Sequence, residues 1–307
     1  MAVNNSIAPW SSKKQTFSAF LSSDAIKTKV NSIVGGKDGQ RFISAVISAV
    51  SVNPMLSECD HSTILSAALL GESLKLSPSP QLGQYYLVPF NDKKRGTKVA
   101  QFQLGYKGYI QLALRSGYYK KLNVMAIKQG ELVKFDPLNE EIEVNLIEDD
   151  TKREATPTCG YYAMFEYQNG FRKAMYWSLE KMMAHADKYS MAFSAEKFRE
   201  LQAGKVPEKD LWKYSSFWYK DFDGMAYKTM LRQIISKWGI MSIELQTAID
   251  NDMAAIHEGG HVDYVDNSVD YEQAADEAPA AAPVVEVDPS TGEVIGDADP
   301  TAAFFNN

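Results

Sequence analysis

A chain of 307 residues with 45% hydrophobic side chains can bury a core, and its length suits one large domain or two small ones. The net charge of −7 speaks against an evenly basic protein, yet it hides an asymmetry: residues 258–307 hold twelve Asp or Glu and no Lys or Arg, leaving 32 basic groups against 27 of the 39 acidic ones in residues 1–257. Cys59 and Cys159 have neither metal-ligand nor disulfide-framework spacing, which predicts a reduced, cytoplasmic setting, and the lack of an apolar run of about 18 residues or a signal pattern predicts a soluble chain with no membrane partner.

Residues 1–39 read as an N-terminal arm. A polar start gives way to Phe17, Phe20, Leu21 and Ile26 at near-helical spacing, ending at Gly35-Gly36; such an arm can pack on its own domain or on a neighbouring subunit. Helices are predicted over 40–50 and 62–76, the second capped by Ser62 or Thr63 and ended by Pro78 and Pro80. The β-prone runs 84–90 and 98–104 predict a hairpin whose tip carries Lys93, Lys94 and Arg95. A short helix follows over 106–116, with Lys107 and Arg115 near its two ends and with Gly105 and Gly108 allowing close approach of a backbone or ligand. Strands are predicted over 122–128, 131–135 and 142–147.

Within 160–178, Asn169-Gly170 separates two alternating aromatic runs and predicts a type I′ hairpin. One face bears Tyr161, Ala163, Phe165 and Tyr167, and Arg172 and Lys173 follow the turn. Helices are then expected over 179–189, 196–203 and 216–238. In the last, Tyr227, Leu231, Ile234, Ile235 and Trp238 form a stripe with burial spacing, bordered by Lys228 and Arg232 on one side and Lys237 on the other. A final helix over 241–256 closes a core spanning 40–258. Residues 259–307 are acidic and rich in Ala and Pro, a composition that reads as a disordered tail. Its Phe304 and Phe305 are either a docking motif or an unused end.

Residues 93–130 stand out. They contain nine Lys or Arg and no Asp or Glu, interleaved with Phe102, Tyr106, Tyr109, Tyr118 and Tyr119. An acid-free basic run with aromatic rings suits a polyanion, and single-stranded nucleic acid above all, because cations neutralise phosphates while rings stack on bases of any sequence. Enzyme signatures are weak by comparison. His257-Glu258-Gly259-Gly260-His261 matches H-E-x-x-H in letters, but paired glycines oppose the helix that would aim both imidazoles at one zinc ion. There is no P-loop and no nucleophile elbow, so no nucleotide, metal or other cofactor is expected. Glu140-Glu141 and Glu148-Asp149-Asp150 leave a metal-dependent nuclease open as an alternative, and a non-enzymatic protein adaptor is a third reading.

At QFQLGYKGYIQLALRSG (101–117) and DGMAYKTMLRQIISKWG (223–239) the sequence resembles the RecT family of phage and prophage recombinases, and with ELVKFDPLNEEIEV and NGFRKAMYW the similarity covers about residues 40–245. The resemblance implies an ATP-independent annealing protein that binds single-stranded DNA, holds the annealed duplex intermediate and assembles as a ring or helical filament. It implies a 5′→3′ exonuclease and a host single-strand-binding protein as partners. It also implies an α+β fold, a small antiparallel sheet with β-hairpins packed on helices, akin to other annealing proteins. Carried onto matching positions, it nominates Gln103, Tyr106, Lys107, Tyr109 and Arg115 from the first motif and Lys228, Arg232 and Lys237 from the second. Charge alone adds Lys93, Lys94, Arg95, Lys120, Lys121 and Arg172. The acidic tail is expected to compete with DNA for the same basic groove.

Overall fold

The computed structural model describes residues 15–190, 192–257 and 261–263; the polar start and most of the acidic tail lie outside them. The chain opens with α1 (Phe17–Ser22), α2 (Asp24–Val34), α3 (Gly36–Val52) and α4 (His61–Ser73). Phe17 and Leu21 enter the main core of the same chain, and the rings of Phe17 and Phe20 lie against His61. Asp60 caps α4, not Ser62 or Thr63: its carboxylate accepts the Ser62 N–H at 2.9 Å, while the Thr63 hydroxyl donates to the Asp60 carbonyl and accepts the Ala100 N–H. α4 also stops before the prolines. Lys75 adopts φ 52, which unwinds the chain and sends Leu74 and Leu76 into the core.

β1 (Tyr85–Asp92) and β2 (Thr97–Leu104) form the expected hairpin, in register from Tyr85↔Leu104 to Asp92↔Thr97. α5 (Tyr106–Arg115) follows directly. A Cβ at Gly105 or Gly108 would lie 2.1 Å from the carbonyl oxygen of Gly83 or Gln84, so these glycines admit the chain's own backbone. Gly108→Ala is therefore expected to cost about 1–3 kcal/mol and to lower the melting temperature by several degrees. An unchanged thermal midpoint would show that the 83–84 segment yields without cost.

The middle of the chain contains β3 (Tyr119–Lys128), β4 (Leu132–Asp136), β5 (Glu141–Val144), α6 (Asp150–Ala155), β6 (Thr158–Tyr167) and β7 (Arg172–Ser178). After it come α7 (Leu179–Tyr189), α8 (Ala195–Gln202), α9 (Phe217–Lys220), α10 (Phe222–Trp238), α11 (Ile243–Asp250), β8 (Ala254–Ile256) and β9 (Val262–Asp263). The strands make three antiparallel sheets, ordered β1-β2-β8-β9, β3-β6-β7 and β4-β5. The fold is α+β, with small antiparallel sheets packed on helices. No described helix is long and apolar enough to cross a membrane.

β6 is apolar on both faces, as a central strand must be. Tyr161, Ala163, Phe165 and Tyr167 join the main core with α7 and α10, while Tyr162 and Met164 form a second cluster with Ile127 and Ala174. Glu131, fully buried beneath that region, takes the Arg153 guanidinium on both oxygens, at 2.6 and 3.1 Å.

Four expectations need correcting. Four residues separate β6 from β7 and only Gly170 has positive φ, 86°; Tyr167 accepts the Gly170 N–H and donates to the Phe171 carbonyl, the pattern of a turn followed by a glycine bulge. The single helix expected over 216–238 is two, because Asp221 leaves helical geometry and its carboxylate caps α10 through the Gly224 N–H at 2.9 Å. Within the expected stripe, Leu231, Ile234 and Ile235 are buried but Trp238 is 55% exposed, with its ring 3.7 Å from the Lys173 ammonium. The last helix ends at Asp250. Met253 adopts φ 69, and Ala254 and Ala255 then pair with Phe102 and Gln101 of β2 as a buried strand.

Candidate nucleic-acid interface

The cations nominated from sequence fall into three places. Lys93, Lys94 and Arg95 occupy the exposed β1–β2 tip, where Asp92 accepts the N–H groups of Lys94 and Arg95. Lys107 is exposed at the start of α5, its ammonium 5.9 Å from the centre of the Tyr106 ring, and it lines an open groove of about 280 Å³ with Gln81, Leu82 and Gln84. The eight residues of β2 separate tip from helix start. At about 3.4 Å per residue that is a track of roughly 25 Å, not a pocket.

Lys120, Lys121 and Arg172 gather at one edge of the second sheet. Lys121 and Arg172 stand opposite Glu166 on either side of it; Lys120 pairs with that carboxylate at 2.6 Å and Lys121 at 3.4 Å, while the Arg172 guanidinium donates to the Tyr162 hydroxyl. Three cations around one anion leave a net positive patch. Lys120 and Lys121 also hold the Glu166 carboxyl below its usual range, mainly through the Lys120 hydrogen bond. Lys237 is exposed at the end of α10, and with Lys188 it adds to burial in lowering the pKa of His185.

At the start of α5 lies a cleft lined by Tyr86, Gln103, Tyr106, Phe217, Asp221 and Lys228, among others. The Tyr86 and Phe217 rings are 5.6 Å apart, Tyr106 meets Tyr227 edge-on at 5.5 Å, and Phe217 is 42% exposed. Burial, with Asp221 and Tyr106 nearby, raises the pKa of Tyr86 and keeps its phenol protonated. Neither Tyr86 nor Phe217 was nominated from sequence. Tyr86 alternates with core residues along β1, and Phe217 sits in a helix of four residues that has no periodicity to read.

Other nominated residues are engaged by partners within the chain, though Arg115 stays exposed and Arg232 half-buried. Tyr109 is fully buried, and burial drives its pKa well up; its ring offers no face to a base here. The Arg115 guanidinium donates to the carbonyls of Leu74 and Lys75, closing the end of α4. Lys228 is 6% exposed and bonds Asp252 at 2.9 Å, and Arg232 bonds the other carboxylate oxygen at 3.0 Å. Asp252 is itself buried and accepts the Leu104 N–H at 2.9 Å. No sequence signal marks Asp252, which follows a helix end like many solvated acids. Of the acids suggested for a nuclease metal, Glu140 pairs with Lys173 and Asp149 caps α6.

Residues 40–267 match the RecT family, a span that contains the track, the cleft and the patch. The chain belongs to the RecT family. It is 37% identical to the uncharacterized protein YqaK of Bacillus subtilis (strain 168) over 259 residues, 81% of this chain and 80% of that protein. It is 26% identical to the protein RecT of Escherichia coli (strain K12) over 249 residues, 80% of this chain and 83% of that protein. RecT family membership makes this a recombination-related single-strand annealing protein. In this RecT family chain, both motifs that carry the resemblance meet at one place: Gln103 and Tyr106 of the first and Lys228 of the second line the same cleft.

Proposed function

We propose that the chain pairs complementary DNA strands without ATP, holding each by its phosphates along the β1–β2–α5 track while bases lean on the aromatic cleft. The observation that carries this reading is the convergence of Lys107, Tyr106, Tyr86 and Phe217 at the start of α5, cation beside open ring, as single-strand binding requires. Pairing needs no bond chemistry. Once phosphate repulsion is relieved and the Watson–Crick edges are free, duplex stacking of about 1.4 kcal/mol per step stabilises matched strands over mismatched ones.

In this reading single-stranded DNA and the annealed duplex are successive ligands, and a homo-oligomer, ring or helical filament, aligns successive segments. A 5′→3′ exonuclease supplies the strand, and a host single-strand-binding protein hands it over. The test is annealing of two labelled complementary oligonucleotides without nucleotide, with and without EDTA. Pairing faster than the protein-free rate in both conditions is expected. Strand loss abolished by EDTA would instead identify a nuclease, and failure to bind either strand would favour a protein adaptor.

A further inference from the structure

The β1–β2 tip touches the end of the described chain. His257 follows β8, and its N–H bonds the His261 carbonyl at 2.8 Å, which brings β9 alongside. This sets His257 and Asp263 against the tip of the first hairpin. Asp92, His257 and Asp263 offer ligand atoms that all lie within 4.8 Å of one another. Asp92 is aimed by its own turn: one carboxylate oxygen takes the N–H groups of Lys94 and Arg95 at 3.0 and 3.2 Å, so the other points to the cluster.

At present the cluster holds a guanidinium. Arg95 Nη1 meets Asp92 Oδ2 at 3.2 Å and also contacts Asp263 Oδ2 and His257 Nε2. That nitrogen carries two hydrogens and faces three acceptors, so one acceptor is always short of a donor. His257 Nε2 must present its lone pair to Arg95, which leaves two lone-pair atoms, His257 Nε2 and Asp263 Oδ2, only 3.3 Å apart. This is the separation of two ligands each about 2.0–2.1 Å from one tetrahedral ion. Charge points the same way, since two carboxylates face one guanidinium. His261 Nε2 lies 3.2 Å from the outer oxygen of Asp263 and would orient that carboxylate, as histidine–carboxylate pairs do around bound metals.

We propose that Asp92, His257 and Asp263 form a site for a divalent first-row transition ion that displaces the Arg95 guanidinium and frees it to join Lys93 and Lys94 at the tip. One imidazole with two carboxylates suits Zn²⁺ or Mn²⁺ better than Mg²⁺, which prefers an all-oxygen, largely hydrated shell. A dication satisfies every lone pair in the cluster where the guanidinium cannot. The site is not the zinc-protease arrangement that the letters His257 to His261 suggest, because His257 follows a strand instead of lying in a helix and its metal partners come from the hairpin tip and β9. The metal site stands on this geometry alone; its effect on DNA rests on the annealing function proposed above.

The experiment titrates the full chain with ZnCl₂ by calorimetry, in the wild type and in His257→Gln, Asp263→Asn and Arg95→Met. Expected are one zinc per chain, affinity lower by about 10–100-fold in the first two variants, and tighter binding in Arg95→Met, which lacks the competing cation. Equal zinc binding by wild type, His257→Gln and Asp263→Asn, with circular dichroism showing all three folded, would overturn the site. Oligonucleotide binding followed by anisotropy then reads the coupling. Zinc should steepen the log–log salt dependence by about 0.7 in wild type and leave Arg95→Met unchanged. Zinc bound with no change in that slope would overturn the release of Arg95, whereas a chain that never binds the oligonucleotide would sink the annealing reading and leave the metal site standing.

Discussion

Asp252→Ala is expected to destabilise the protein by about 3–5 kcal/mol, the largest effect of any single substitution considered. Asp252 is 3% exposed and holds three donors: the Leu104 N–H, the Lys228 ammonium and the Arg232 guanidinium. Removing it leaves a buried ammonium without a counter-charge, and breaking a buried pair from one side costs far more than replacing both partners. The double variant Asp252→Leu with Lys228→Met should therefore recover much of the loss. Urea unfolding of the two single variants and the double variant measures this directly. If Asp252→Ala unfolds at the wild-type urea concentration, the buried network has no structural weight and Lys228 is open to a ligand role. If the destabilisation is found, the weaker DNA binding expected of Lys228→Ala or Arg232→Ala is to be read through stability before it is assigned to contact.

Replacing Lys93, Lys94 and Lys107 together by Ala is expected to weaken binding of single-stranded DNA about 100-fold at 0.1 M salt and to flatten the log–log salt slope by about 2. Each neutralised phosphate contributes about 0.7 to that slope on a single strand, and three contacts are removed. All three side chains are exposed and none belongs to the core, so unfolding midpoints should stay within about 0.5 kcal/mol of wild type. The loss should be nearly independent of sequence, because phosphates carry none. Wild-type affinity in the triple variant would move the interface away from the track, with the patch around Glu166 as the next place to test. There the charge reversal Lys120→Glu with Lys121→Glu gives the corresponding measurement.

Much of the architecture was legible because its causes are local. The turn at 91–96 and the β-prone runs within 84–104 set the β1–β2 hairpin, and the helix predicted over 179–189 occurs over those residues as α7. The residues that were misjudged depend on distant partners. Tyr109 and Lys107 share one motif two positions apart, yet a helix turn of about 200° between them sends one into the core and the other to the surface. Lys228 looked like a border cation because nothing near it in sequence reveals that Asp252 waits at the end of β2. The strand β8 was missed because three small apolar residues after a helix have no period of their own. They become a strand only where β2 presents an open edge.

What the sequence determined by itself is the family motif and the division of charge between body and tail, which follow from residue types and short-range spacing, and through the family resemblance the α+β class. Only the tertiary structure decided which cations stay at the surface. That choice is set by long-range partners: Asp252 engages Lys228 and Arg232, Arg115 is taken by the carbonyls that end α4, and Lys107, with no carboxylate within ion-pair reach among the described residues, stays exposed beside the aromatic cleft. A buried charge must find a counter-charge or a hydrogen-bonding oxygen, and no rule of local spacing says where in the chain that partner will be.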